Sequence, residues 1–250
     1  MEKAIGVIGG VGPQAGLDLV QKVLENTIAS SDQEHIDLYL TSIPSKIADR
    51  TAFLLEQKES PLPGLKASFD KLATIGASVI VIPCNTAHAP PIYGELANWA
   101  KSTWPQVRLL NMIEETVKLI EAIFDMGTNI GLLATLGTHR IGIYRQYFEK
   151  SAHLTLLEPD DATQKEVHQA IYDKEWGIKA SYPPTERARE TIRSAAEALA
   201  ERGAKAIVLG CTELPLALGV GDVPFTLLDP TLILARAAIR ETAIDKLKDA

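Results

Sequence analysis

The sequence has little cysteine and no long hydrophobic run. Its 250 residues include two cysteines, three tryptophans and 6% aromatic residues. No apolar stretch approaches the roughly 20 residues of a transmembrane helix, and the N-terminal MEKAIGVIGG has no run long enough for a secretory signal. We therefore expect a cytoplasmic protein without a membrane partner. In that reducing compartment the two cysteines are expected to be free thiols rather than a disulfide.

Basic charge is also scarce. The chain has 25 Lys and Arg against 32 Asp and Glu, a formal net charge of −7, and its basic residues form no cluster. This composition provides no electrostatic support for binding nucleic acid or an anionic membrane. The expected partner is a small-molecule substrate. If that substrate is an anion, local cations and helix N-termini must attract it.

Short β-branched runs alternate with amphipathic stretches along the chain. LDLVQKVLENTI and ARETIRSAAEALAERG have the three- and four-residue apolar spacing of helices. The alternation predicts an α/β fold with mainly parallel sheets flanked by helices, in which ligands bind beyond the carboxyl ends of the strands. The predicted strands are Ala4–Gly9, Ile36–Ser42, Ser78–Ile82, Val107–Met112, Asn129–Ala134, His153–Glu158, Ala206–Gly210 and Phe225–Asp229.

The second half of the chain repeats landmarks of the first. GASVIVIPCNT from Gly76 aligns with GAKAIVLGCTE from Gly203, at an offset of 127 residues. IGVIGGVGP from Ile5 aligns with IGLLATLGT from Ile130, at an offset of 125 residues. Any α/β protein repeats strand–turn–helix units, and that explanation stays open. The close agreement of the offsets favours a duplicated lobe with the two cysteines at equivalent positions.

A duplication predicts two similar lobes related by a pseudo-twofold axis, with an active site in the cleft between them. We expect the N-terminal lobe to contain residues 1–113 with a returning segment, 226–250. The second lobe would then contain residues 114–225.

Each cysteine ends an apolar run and precedes two polar residues, in PCNT for Cys84 and GCTE for Cys211. A helix N-terminus there would favour thiolate and bind carboxylates. A metal site has little support, because neither cysteine has a Cys or His partner at CxxC-type spacing. His88, four residues after Cys84, and Glu213 are the nearby alternatives for ligands. Two inert buried cysteines remain a further interpretation.

Two thiols on opposite sides of a ligand suit the inversion of a carbon stereocentre. One thiol acts as base and the other as acid, and the ordinary thiol pKa of about 8.5 is close enough to neutrality for both roles. When the carbon lies next to an ionised carboxylate, removal of its proton gives a dianionic intermediate. This intermediate needs preorganised hydrogen-bond donors and exclusion of water.

The motifs PCNTAH, GCTELPL, GVIGGVGP and DRTAFLL together resemble the cofactor-independent aspartate/glutamate racemase family, specifically its aspartate racemase branch. The resemblance runs nearly end to end. It implies two similar α/β lobes with the active site between them, no pyridoxal phosphate or other cofactor, and a homodimer.

The same resemblance assigns roles to the cysteine motifs. Cys84 and Cys211 match the two acid/base cysteines, with Cys84 serving the D-isomer and Cys211 the L-isomer. Asn85, Thr86 and Thr212 would hold the α-carboxylate through side chains and amides.

Two cations match family positions. Arg50 in IADRTAFL, where the family commonly has IPDRTAFL, would clamp the side-chain carboxylate of the substrate, since a planar guanidinium fits a carboxylate. Lys179 in EWGIKAS would be a second cation near the substrate, with Ser181 replacing a family glycine. Lys174 is its rival, and a solvated lysine is the alternative.

Four further residues are assigned to substrate binding. Thr135 could contribute a hydroxyl or cap a turn. Gly10 and Val11 lie in GVGPQA, a loose dinucleotide fingerprint that is expected to line an amino-acid pocket instead. Glu213 replaces the histidine of glutamate racemases and, with the acid-free GGVGP loop, favours the aspartate branch. Whether Glu213 assists proton transfer or only caps a helix is left open.

The leading hypothesis is an aspartate racemase with no metal and no cofactor. Alternatives are a glutamate or broad-specificity racemase, and an isomerase or decarboxylase of small dicarboxylates such as maleate. A two-lobed protein that only binds an acidic metabolite is the alternative outside enzymology.

Overall fold

The computed structural model describes residues 3–151 and 154–249. The chain divides into two compact units. The first unit is Met1–Glu115 with Thr231–Ala250, and the second unit is Thr116–Pro230.

Eight strands in the described residues form two four-stranded parallel sheets, one in each unit. The sheet of the first unit has the order β2-β1-β3-β4, and that of the second has the order β6-β5-β7-β8. Both sheets therefore have the same topology, which confirms the predicted α/β fold with two similar lobes. The strands are β1 Ala4–Gly9, β2 Leu38–Ser42, β3 Ala77–Val81, β4 Arg108–Leu109, β5 Thr128–Ala134, β6 Leu154–Leu157, β7 Ala206–Gly210 and β8 Thr226–Leu228.

Helices connect the parallel strands and flank the sheets. No helix in the described ranges is long and apolar enough to span a membrane. The α-helices are α1 Pro13–Asn26, α2 Arg50–Glu56, α3 Leu62–Thr74, α4 Pro90–Thr103, α5 Met112–Ile123, α6 Leu136–Ile141, α7 Ile143–Phe148, α8 Asp161–Tyr172, α9 Glu186–Glu201, α10 Leu214–Ala217 and α11 Pro230–Thr242.

The fourth strand is shorter than the sequence predicted. The apolar pattern predicted a strand to Met112, but β4 ends at Leu109. The side chain of Asn111 accepts hydrogen bonds from the backbone N–H groups of Ile113 and Glu114, at 3.0 and 3.1 Å, and so begins α5. In the predicted strand His153–Glu158, His153 lies outside the described residues.

Both faces of the first sheet are buried, which explains its continuous apolar strands. Alternate residues of β1 point to opposite faces. Ile5 and Val7 belong to a core that includes residues of α1 and α11, whereas Ile8 belongs to a core with α3 and α4. In the second unit, β5 and β7 pack with α8 and α9. The polar motifs fall at the carboxyl ends of the central strands.

Candidate active site

Cys84 lies on a tight buried turn just beyond β3. Its N–H donates to the carbonyl of Ile82 at 2.8 Å, and its own carbonyl accepts from the N–H of Ala87 at 3.1 Å. The next four residues, 85–88, form a single 3₁₀ turn. Asn85 and Thr86 are buried on this turn beside the thiol. The structure thus groups three of the predicted site residues at the carboxyl edge of the first sheet.

The side chain of His88 contacts the backbone of this turn. Its Nδ1 lies 2.9 Å from the carbonyl oxygen of Cys84, and its ring stacks on Tyr93 with 5.0 Å between centroids. Burial lowers the pKa of His88 to about 4, outweighing the opposing effect of the backbone carbonyls of Cys84 and Leu110. A neutral imidazole therefore donates its Nδ1–H to Cys84. The side chain whose role the sequence left open thus contacts the backbone of the cysteine turn.

The glycine loop after β1 is shaped by the protein's own backbone. Gly10 has φ 77°, and a Cβ at this position would lie 2.8 Å from the backbone nitrogen of Ile43. Glycine is therefore required for the approach of the chain that follows β2. The side chain of Val11 is buried in the core. Any contribution of these two residues to a ligand must come from their backbone groups.

Arg50 begins α2 and reaches this loop. Its Nη2 donates to the carbonyl of Val11 at 2.8 Å, and its Nη1 donates to the carbonyl of Ala48 at 3.3 Å. Asp49 caps the helix by accepting from the N–H of Ala52 at 2.7 Å. Helix α2 also packs against the 3₁₀ turn at 85–88. The guanidinium is therefore held at the same region of the first unit as Cys84.

Cys211 occupies the corresponding position in the second unit. It follows the last residue of β7, Gly210, which pairs with Ala134 at the end of β5. Its carbonyl accepts from the N–H of Leu214 at 2.9 Å, which closes the same four-residue turn that Cys84 makes. Thr135, the residue after Ala134, is thus at the same sheet edge.

The hydroxyl of Thr135 accepts from the N–H of Thr138 at 3.3 Å and caps α6. This geometry confirms the capping interpretation of Thr135. A hydroxyl contact with the substrate stays a prediction.

Glu213 is 4% exposed and contacts the thiol directly. Its Oε2 accepts from the Sγ of Cys211 at 3.0 Å and from the hydroxyl of Thr212 at 3.3 Å. Its Oε1 forms an ion pair with the ammonium of Lys179. The side chain of Glu213 makes no cap hydrogen bond to α10. The helix-capping interpretation is therefore wrong.

At Cys211 the backbone N–H of Glu213 favours the thiolate, as the sequence predicted, but larger effects outweigh this contribution. Burial raises the pKa of Cys211 well above its ordinary value, and the negative charge of Glu213 raises it further, against the opposing charge of Lys179. The helical segment after this cysteine, α10, has four residues. So short a helix has little macrodipole to offset desolvation.

Lys179 is held inward rather than solvated. As a whole residue it is exposed, but its side chain is 26% exposed and lies over the ring of Tyr172, 5.3 Å from the centroid. Burial alone would lower the pKa of Lys179, but Glu213, Cys211 and Tyr172 together raise it. Its rival Lys174 is exposed. Lys179 is therefore the cation beside Cys211.

Aromatic and histidine side chains that no motif marks also lie around Cys211, Glu213 and Lys179. The Nδ1 of His168 accepts from the N–H of Leu136 at 3.4 Å, and its ring packs against that of Tyr172 at a tilt of 31°, with 4.7 Å between centroids. Tyr144 is fully buried, and burial raises its pKa while its hydroxyl bonds to the side chain of Thr116. Their helical spacing is typical of core residues, so the sequence contains no signal that separates them from packing.

Metal ligands are not clustered in the described parts of the chain. Within residues 3–151 and 154–249, no group of three or more His, Cys, Asp and Glu side chains is placed to hold a metal ion. Both cysteines are free thiols. Both cysteines offer acid–base chemistry at sulfur. In the first unit the guanidinium of Arg50 lies in the region of Cys84, and in the second unit a carboxylate and an ammonium lie beside Cys211.

Comparison with known proteins places the chain among racemases. A family model described as Asp/Glu/Hydantoin racemase matches residues 8–238. The broad specificity amino-acid racemase RacX of Bacillus subtilis is 28% identical over 172 residues, 67% of this chain and 69% of that protein. The aspartate racemase of Picrophilus torridus aligns with a TM-score of 0.80 at 29% identity, covering 98% of this chain and 96% of that one.

Glutamate racemase from Francisella tularensis, in complex with D-glutamate, aligns with a TM-score of 0.62 at 16% identity and covers 100% of this chain and 84% of that one. At this identity the likeness is one of fold.

Proposed function

Because the chain belongs to the Asp/Glu/hydantoin racemase family, we propose that it interconverts L- and D-aspartate by cofactor-independent, two-base proton transfer at Cα. One observation carries the proposal. The two thiols lie just beyond β3 and β7, which hold the same place in two sheets of identical strand order. Each cysteine carbonyl also accepts from the N–H of the third residue after it, so the backbone turns match.

In the proposed mechanism, Cys84 takes the Cα proton of the D-isomer and Cys211 takes that of the L-isomer. In either direction the other thiol gives a proton to the opposite face of the carbanion, so one S–H bond forms and one breaks. The reaction therefore requires the two sulfurs to act from opposite faces of Cα. Amides of the two cysteine turns, with Asn85, Thr86 and Thr212, would stabilise the charge that develops on the α-carboxylate.

Aspartate is the proposed substrate because of Arg50 and the Picrophilus torridus similarity. The guanidinium of Arg50 is oriented by the carbonyls of Val11 and Ala48 and offers charged hydrogen bonds to a side-chain carboxylate. Lys179 is proposed as a second cation near the substrate. As the resemblance implies, we also propose a homodimer, which sedimentation analysis would test.

The mechanism is tested by isotope incorporation in D₂O. With L-aspartate, the D-product should carry deuterium at Cα, while L-aspartate recovered early in the reaction should stay unlabelled, because separate thiols handle the two protons. Cys84→Ser and Cys211→Ser should each abolish racemisation while circular dichroism stays unchanged. Full activity in either folded variant would refute the two-base mechanism.

Specificity is tested with a panel of L- and D-amino acids assayed without pyridoxal phosphate and in the presence of hydroxylamine, which inactivates pyridoxal enzymes. Aspartate should be preferred over glutamate and alanine. Arg50→Lys should reduce the preference for aspartate over alanine about 10-fold or more, since charged hydrogen bonds contribute about 1.5–3 kcal/mol. Arg108→Lys, at an exposed ion pair with Glu241, is the matched control.

Broad activity in this panel would favour the function named for RacX. Conversion of maleate with a covalent thiol adduct would favour the dicarboxylate isomerase, and thermal stabilisation without turnover would favour a binding protein. Each of these results would replace the aspartate assignment.

A further inference from the structure

Glu213 is in direct contact with the thiol of Cys211. Its carboxylate is buried, with one oxygen on the Sγ of Cys211 at 3.0 Å and the other on the ammonium of Lys179. A buried carboxylate is costly unless it is paired and hydrogen-bonded. All of these contacts are made within the second unit and need no ligand.

The thiol of Cys211 must lose its proton before it can act as a base. Burial and the neighbouring carboxylate keep it protonated at neutral pH. Loss of the proton to bulk water would leave a thiolate beside a carboxylate in a buried site, and Lys179 alone would have to compensate for both charges. Transfer to a group already at hydrogen-bonding distance avoids that charge build-up.

We propose that Glu213 is the proton acceptor that activates Cys211, an inference that rests on the proposed function of Cys211 as one of two bases. The S–H bond breaks, the electron pair stays on sulfur, and an O–H bond forms at Oε2 of Glu213. The negative charge moves from carboxylate to sulfur. The three groups therefore keep the same net charge before and after the step, with the cation of Lys179 balancing either anion.

Lys179 is a positioning residue in this step. Its ammonium is held between Glu213 and the face of Tyr172, an arrangement that favours the charged amine. Because the pKa of Lys179 is raised, the ammonium stays protonated while the proton moves from sulfur to oxygen.

The two cysteine turns differ at this point. Both turns have the same backbone hydrogen bond, but the residue two positions after Cys84 is Thr86, whereas that after Cys211 is Glu213. A hydroxyl is not a proton acceptor near neutral pH. In the proposed mechanism, the thiol that acts on the L-isomer therefore has a neighbouring carboxylate. The thiol that acts on the D-isomer has a neutral hydroxyl at the equivalent position.

The contact between Glu213 and Cys211 can be tested without measuring catalysis. The thiol of Cys211 is titrated in the Cys84→Ser variant. With ¹³Cβ-labelled cysteine this variant has one cysteine NMR signal, whose shift reports thiolate formation even at a buried site. Glu213→Gln should lower the pH midpoint by about one unit or more, since it removes the charge that raises the thiol pKa. Lys179→Met should raise the midpoint. Glu197→Gln, on the exposed face of α9, should leave it unchanged.

The rate of racemisation, measured in the chain with both cysteines, then distinguishes proton transfer by Glu213 from the electrostatic effect of its charge on the thiol. Glu213→Gln should lower kcat about 100-fold or more, the usual loss of a general acid–base group, although its thiolate forms more readily. Glu213→Asp, which keeps a carboxylate, should recover part of the rate. Because the two enantiomers have equal free energy, kcat/KM must be the same for both in every variant, which is an internal check.

Either of two results would overturn the proposal: an unchanged thiol midpoint in Glu213→Gln, or racemisation by this variant at the wild-type rate or faster. Failure of the two-cysteine function would look different, because Cys211→Ser would then stay active while the titration still reported the Glu213 contact.

Discussion

At the scale of single residues, two cysteines with matching sequence surroundings have different chemical environments. Cys84 is followed by neutral residues and has its carbonyl held by His88, while Cys211 has a carboxylate at 3.0 Å and an ammonium behind it. The repeat in the sequence predicted equivalent positions, and the strand order confirms them. The electrostatic difference arises from Glu213, which lies within the second motif, and from Lys179, which is 34 residues before Glu213 and outside either motif.

His88 should make the protein less stable in acid. Above pH 6.5 the imidazole is neutral in both folded and unfolded states. As pH falls toward 4, only the unfolded state takes up the proton, because burial lowers the folded pKa to about 4. This one group should therefore remove up to about 3 kcal/mol of unfolding free energy between these pH values, at about 1.4 kcal/mol per pKa unit.

His88→Asn keeps an N–H donor for the carbonyl of Cys84 but does not titrate. Urea unfolding of both proteins at several pH values between about 7 and 4.5 measures the difference. The variant should lose less stability than the wild type over this range. Parallel curves for the two proteins would contradict the assignment of a buried neutral imidazole.

At the scale of secondary structure elements, α2 combines little burial with a proposed substrate contact. None of its residues is fully buried, although Phe53 and Leu54 pack partly against the core of the first unit. Its N-terminus depends on the cap by Asp49, and its first residue is Arg50. Local loss of this helix should therefore affect the guanidinium more than the global fold.

Asp49→Ala should raise KM for aspartate several-fold with a small change in global unfolding, since an N-cap contributes about 1 kcal/mol to its own helix. Asp160→Ala removes an equivalent cap, an oxygen that accepts from the N–H of Thr163 at 2.8 Å, on α8, which is packed in the core. That control should lower the unfolding free energy by about 1 kcal/mol and leave KM unchanged. Equal effects of both variants on KM would argue against a special role for α2.

At the scale of the whole molecule, the second unit is one continuous segment, whereas the first needs both ends of the chain. The core of the second unit contains residues from Thr116–Pro230 alone. In the first unit, α11 contributes Leu234 and Ile239 to the core against β1 and β3. The C-terminal segment also returns to α1, where Arg236 donates to the side chain of Asn26 at 2.9 Å.

The segment 116–230 should therefore fold alone, with a cooperative urea transition. The segment 1–115 should not fold by itself, because one face of its sheet would be uncovered. Adding a peptide of residues 231–250 should restore its circular dichroism. A cooperative transition of 1–115 without the peptide would show that α11 is dispensable for the core.

The sequence by itself determined the alternation of strands and helices, the repeat of landmarks in its two halves, and the positions of Cys84 and Cys211 at the ends of equivalent strands. These features depend on local hydrophobic periodicity and on residue spacing, which a chain carries without folding. Only the tertiary structure decided that Glu213 contacts Cys211 and Lys179 rather than capping a helix, and that burial keeps the thiol protonated. Proton affinity depends on desolvation and on charges brought together from distant positions, and no local pattern encodes either.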